Sequence, residues 1–246
     1  MKKFYSLLLM VFMGILSVQS QIHLFLEEQV VDMGDSRPSA WVFPVAHDLD
    51  LALGDLQDYC KERSDVKLKK EGENILMGEK VSIPTIATKR GDLIGKGFIT
   101  ETYYGVALIF QLGYDISLNS VDWAPEMKNF RNYAKAFMSY HYEKSFTRRV
   151  VGVEKQVSDL EKEKGQGEKK IDSANKRILN LNKKIAKETD ETKIELYKAE
   201  IDANEMEIET ITSNNSKLQE QIDQLKGDVE RLKEELHKFQ GNIASF

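Results

Sequence analysis

Between Val150 and Phe239 apolar residues recur at alternating spacings of three and four, and this repeat commits the second half of the chain to long helices. A first run carries Val150, Val153, Val157, Leu160, Ile171, Ala174, Ile178, Leu181 and Ile185, with Lys164 and Gly167 standing at two of its core positions. A second run carries Ile194, Tyr197, Ile201, Asn204, Ile208, Ile211, Asn215, Leu218, Ile222, Leu225, Val229, Leu232, Leu236 and Phe239. Spacing sustained over so many heptads is the signature of a coiled coil. Its best-defined core is Ile208, Ile211, Asn215, Leu218, Ile222, Leu225, Val229, Leu232 and Leu236. There the a positions are mostly β-branched and the d positions mostly Leu. That choice favours two parallel strands, and a buried Asn at a fixes register at a cost in stability.

The two runs are out of phase, because nine residues separate Ile185 from Ile194 where seven would keep the register. Two places suit a reversal of the chain. One is 187–192, where Thr192 and Glu195 spell a capping box; the other is 213–216, where Ser216 and Gln219 repeat the pattern. Two architectures stay open: a helical hairpin folded on itself, or a long parallel homodimer in which Asn215 meets its own copy.

Composition separates this half from the rest. All four prolines and both tryptophans lie before residue 126, and of 22 aromatics only Tyr197, Phe239 and Phe246 lie beyond 150. Residues 151–246 hold 17 Lys+Arg and 21 Asp+Glu. A segment so charged cannot build an ordinary core, so the globular domain is expected before it.

That domain reads as α+β: a small antiparallel sheet with two helices, followed by the coiled-coil region. Trp41 to Ala46 is a short β-prone run. Asp48 to Arg63 is a helix, with Leu49, Leu53, Leu56 and Cys60 on one stripe and acidic residues at its start. Cys60 on that stripe reads as a buried apolar side chain. Strands are expected at 66–69, 75–77, 81–88, 93–100 and 102–112, with a turn at Lys89-Arg90-Gly91-Asp92. Pro125 then opens a helix whose stripe is Met127, Phe130, Ala134, Phe137 and His141. The expected limits are 1–20 signal peptide, 21–40 N-terminal linker, 41–145 α+β domain, 146–240 coiled coil and 241–246 tail.

The order of these elements, with the Gly-Asp-Leu-Ile-Gly-Lys-Gly run at 91–97, resembles uncharacterised bacterial secreted domains with a TATA-binding-protein-like fold. The resemblance covers 41–145 and leaves the helical half unexplained. It implies a fold and a secreted bacterial setting, and no catalytic residue.

Lys2 and Lys3, the apolar stretch Phe4 to Leu16 and the small Ser20 form the three parts of an export signal, with cleavage expected before Gln21. The stretch is too short for a bilayer span, and the mature chain offers no other. The net charge of −5 argues against nucleic acid. One cysteine excludes an internal disulfide, and the four histidines show no metal-ligand spacing. No nucleophile elbow, phosphate loop or zinc motif is present. His47 beside Asp48 and Asp50 reads as a helix-start cluster. Arg90-Gly91-Asp92 matches an adhesive tripeptide, though Gly91 also serves as a turn residue.

The expectation is therefore an exported protein, periplasmic or at the cell surface, acting as a binding or scaffolding module without catalytic, cofactor or metal site. Its partner is itself, as a parallel homodimer, or another envelope protein. The alternatives are an enzyme with its site in the α+β domain, or an accessory subunit of a cell-envelope complex.

Overall fold

The computed structural model describes residues 24–46, 48–113 and 116–244. The export signal, its cleavage point and His47 lie outside them. The chain divides into two compact units, Met1–Ser145 with Gln240–Phe246, and Phe146–Phe239.

The first unit is a seven-stranded antiparallel sheet with helices on one face. Its strands are β1 (Glu27–Val30), β2 (Ser39–Val45), β3 (Lys69–Gly72), β4 (Ile75–Val81), β5 (Gly91–Ile99), β6 (Tyr104–Gly113) and β7 (Ile116–Ser117). They lie in the order β1-β2-β6-β5-β4-β3, with β7 also paired to β6. Helix α1 (Leu49–Ser64) follows β2, and α2 (Ala124–Ile185) follows β7. Asp48 caps α1 by accepting the Leu51 amide at 3.0 Å, so the acidic pair at its start does the work its position suggests.

Alternation sorts the strands' side chains between two faces. On one, Trp41, Phe43, Leu108 and Phe110 meet the helices. Phe137 packs edge-on to Phe43, Phe130 to Phe110, and the Trp41 indole donates to the Met127 carbonyl. The glycines of the 91–97 run serve this contact: a Cβ at Gly95 would collide with Leu56, and one at Gly97 would stand 2.8 Å from Leu49. They let α1 sit close on β5. On the opposite face Ala40, Val42, Ile94, Ala107 and Ile109 form a second buried cluster, roofed by Phe25, Val31 and Met33.

That roof corrects the N-terminal linker. Residues 27–30 pair with β2, Leu26 is buried, and Glu28 accepts hydrogen bonds from the Ser39 and Ser120 hydroxyls. Two strands also move. After α1 the chain turns through Asp65 in a left-handed conformation (φ 51°), and β3 begins only at Lys69. The alternating run 81–88 ends as a strand at Val81. Pro84 has no amide to give a sheet, and Ile83 and Ile86 bury themselves from a turn closed by the Ile86 amide on the Ile83 carbonyl. The described part of the tail, 241–244, is helical as well: α3 (Glu191–Ala244) carries Ile243 into the first unit's buried set.

In the second unit the hairpin architecture holds. The chain reverses at 186–190, and the Ala186, Lys187 and Glu188 amides bond back to the end of α2. The cap is Asp190, whose carboxylate accepts the Thr192 and Lys193 amides; Thr192 and Glu195 are inside the helix. Residues 213–216 do not turn, and α3 runs through them. A nine-residue gap is harmless here, since each run keeps its own register on its own helix. Every core position of both runs is buried or half-buried, including all nine of the best-defined set. Val157, Ile222 and Leu225 form the tightest cluster, with Val153 and Leu160 against it. Lys226 pairs with Glu161 at 2.9 Å, and Lys164 donates to Gln219 at 2.8 Å, across the two helices.

The antiparallel pairing explains the two residues that sit oddly in the heptads. Asn215 lies against Gly167 rather than against its own copy, and a Cβ at Gly167 would strike the Asn215 amide group. Gly167→Ala therefore trades a gain in helix propensity against displacement of Asn215. In an Asn215→Ala background the obstruction is gone, and Gly167→Ala should stabilise the hairpin by about 1 kcal/mol. Urea unfolding of the four members of this cycle should give a smaller gain, or a loss, with Asn215 in place. Equal effects in both backgrounds would refute the contact.

Candidate functional site

Polar groups of the first unit gather where α1 meets the start of α2. Asp55 and His141 are each 1% exposed, one on the buried stripe of each helix. The Ala46 amide donates to His141 Nε2 at 3.2 Å, so that nitrogen is the acceptor and the ring proton sits on Nδ1. Nδ1–H then donates to Asp55 Oδ2 at 2.8 Å. Lys144 stands 3.7 Å from Asp55 Oδ1 and donates to Asp58 at 2.8 Å. Burial works against its charge, but the hydrogen bond to Asp58 and the interaction with Tyr140 together outweigh that and hold the ammonium's pKa above its ordinary value. Beside the pair, the Tyr142 hydroxyl donates to the Pro44 carbonyl at 3.3 Å.

This arrangement joins three segments and has no chemistry left over. The imidazole nitrogen that a general base would use already holds a backbone proton, and the pair is sealed from solvent. It clamps the β2–α1 link onto both helices. His141 was visible in the sequence as a stripe residue. Asp55 was missed, although a lone carboxylate among Ala52, Leu53 and Leu56 is itself a signal of a buried partner.

A second group lies one turn further along α1. Cys60 is buried, and the Tyr133 hydroxyl donates to its sulfur at 3.3 Å. Burial pushes the thiol up to about 11, which leaves it protonated and poorly nucleophilic. Burial, with Cys60 close by, likewise lifts Tyr59 to about 12.

Over these residues the surface forms a shallow groove of about 590 Å³. Tyr59 and Arg63 line it from α1, and Asn132, Lys135, Ser139, Tyr140 and Glu143 from α2, with Ile243 at one end. The Tyr59 and Tyr140 rings are 5.4 Å apart. The Lys144 ammonium lies 4.8 Å from the centre of the Tyr140 ring, and Gln240 donates to Glu143 at 3.2 Å. The groove thus offers two aromatic rings, two cations and amide and hydroxyl groups, without a reactive atom poised among them.

The adhesive tripeptide is not displayed as a loop. Gly91 and Asp92 belong to β5, Gly91 is buried against β6, and Asp92 accepts the Lys80 amide at 2.6 Å. Among the described residues no group of three or more His, Cys, Asp or Glu could hold a metal ion, and no helix is long and apolar enough to cross a membrane. No family model, curated protein or solved structure matches the chain.

Proposed function

We propose that the protein is an exported bacterial binding module whose α+β domain presents the contact groove and whose helical hairpin serves as a scaffold. The observation that carries this reading is the groove's composition. Tyr and Arg side chains recur at the energetic centres of protein interfaces, and here they converge on one concave surface. The Asp55–His141 and Tyr133–Cys60 pairs are already hydrogen-bonded, which favours recognition over catalysis. The partner this chemistry suits is a protein segment of the cell envelope with acidic groups for Arg63 and Lys135 and a flat side chain for the tyrosines. The same reading keeps the bacterial secreted setting of the family resemblance. Its support is the run of strand, helix, four antiparallel strands and helix from β2 through β6 to α2.

A photo-crosslinking side chain at Asn132 should give a discrete adduct in the envelope fraction of an expressing bacterium, and one at Glu101 should not. Arg63→Glu combined with Lys135→Glu should abolish the adduct at Asn132. Loss of the reading follows if no adduct forms, or if the charge reversals leave it unchanged.

A further inference from the structure

The hairpin part of α2 carries a regular row of cations on its outward face. Lys155, Lys162, Lys169, Lys176 and Lys183 occupy the f position of five successive heptads, opposite the a/d seam, and all five are exposed. At about 1.5 Å of rise per residue they stand roughly 10 Å apart and cover roughly 42 Å. On α3 the f positions hold Ala199, Met206, Ser213, Glu220, Gly227 and Glu234, so the row belongs to one helix alone. Pairing of the two helices does not call for it. The cations that serve the seam lie one place on, at g, where Arg177 is 3.8 Å from Glu207 and the Lys184 ammonium is 5.5 Å from the centre of the Tyr197 ring. Lys162 bonds Asp159 on its own helix, and none of the other four lysines makes an ion pair among the described residues. Beside the row, at b and c, stand mostly small or neutral polar residues: Gly152, Ser158, Gly165, Gln166, Ser173 and Asn180. Asp159 and Asp172 are the two acids there.

We propose that this face of α2 binds a linear acidic polysaccharide with one carboxylate per disaccharide. In an extended two-fold ribbon every second sugar faces the same way. Such a polymer therefore repeats its carboxylate along one side at about the interval of one heptad, and a single strand can meet all five lysines. The small residues at Gly152, Ser158 and Gly165 leave it room to lie along the helix, and Gln166, Ser173 and Asn180 offer hydrogen bonds to its hydroxyl groups. A lipid surface is served worse. Helices that lie in a membrane interface back their cations with Trp, Phe or Leu that enter the acyl layer, and here the flanks hold only Val151 and Leu179. The proposal is independent of the groove, which lies in the other unit.

The test uses the full chain and an end-labelled hyaluronan decasaccharide, which has five carboxylates, one per disaccharide. At roughly 0.01 M ionic strength, where the Debye length is long, fluorescence anisotropy should show saturable binding that weakens as salt is added. Each lysine removed from the row should weaken it by about three-fold. The lysines are far enough apart for their effects to add, so Lys169→Gln with Lys176→Gln and Lys183→Gln should cost about thirty-fold. Lys198→Gln with Lys217→Gln and Lys238→Gln takes the same charge from α3 and should change affinity by less than about two-fold. Circular dichroism checks that both variants keep their helicity. A pentagalacturonate, with the same five carboxylates packed more closely, should bind the wild type about ten-fold more weakly than the decasaccharide, because its charges fall out of step with the row. The proposal is overturned if the decasaccharide does not bind, or if the pentagalacturonate binds as tightly. It is overturned equally if the two helical variants lose the same affinity, or if phosphatidylglycerol vesicles hold the protein where the decasaccharide does not.

Discussion

Replacing Asp55 by Ala should cost the α+β domain about 3 kcal/mol. The carboxylate is 1% exposed and accepts the Nδ1 proton of a histidine that is equally buried. Without it, a buried imidazole N–H loses its acceptor, and Lys144 loses one of the two carboxylates beside it. The ring cannot turn to compensate, because Nε2 is engaged by the Ala46 amide. Against a total stability of ordinary size, a loss of that magnitude is a large fraction. Asp55→Asn keeps an oxygen that can accept the same proton, so it should cost markedly less. Trp41 and Trp123 both lie in this unit, so urea unfolding followed by tryptophan fluorescence reads its stability alone. Asp55→Ala melting at the wild-type midpoint would mean that the buried pair does not fasten β2, α1 and α2.

Much of this molecule is written in local patterns, and those were legible. Heptads depend only on spacing, so each seam position could be named residue by residue, and all nine of the best-defined set are withdrawn from solvent. The helices of the α+β domain and its antiparallel sheet followed from stripes and β-rich runs for the same reason. The features that escaped depend on pairing at long range. The strand at 27–30 has the sequence Glu-Glu-Gln-Val, in which only Val30 is β-prone; pairing with β2 makes it a strand. The run at 81–88 alternates as a strand would, yet its isoleucines are buried from a turn. Between the two possible reversals, both written as capping boxes, the sequence had no means of choosing. Pairing chose, because turning at 186–190 lays residues 146–185 against 191–239 and puts the small Gly167 opposite Asn215. The groove belongs to the same class. Arg63 and Lys135 look like ordinary surface cations until α1 and α2 lie together and bring Tyr59 beside Tyr140.

Introducing a charge at Leu225 should damage the hairpin more than any surface change. Leu225 is buried with Val157 and Ile222 at the tightest point of the seam. Leu225→Asp removes the apolar contacts and places a carboxylate where no cation is at hand in that cluster, at a cost of about 4 kcal/mol. The loss should appear in the helical signal near 222 nm and leave tryptophan fluorescence nearly unmoved, since both tryptophans lie in the other unit. Its dependence on concentration separates the two ways of closing the seam. In a parallel zipper the facing helix comes from another molecule, so the melting temperature would fall on dilution. In the hairpin the facing helix is α2 of the same chain. Wild type and variant should then each melt at a temperature that does not change with dilution. A melting temperature that falls on dilution would show that α3 finds its partner in a second chain.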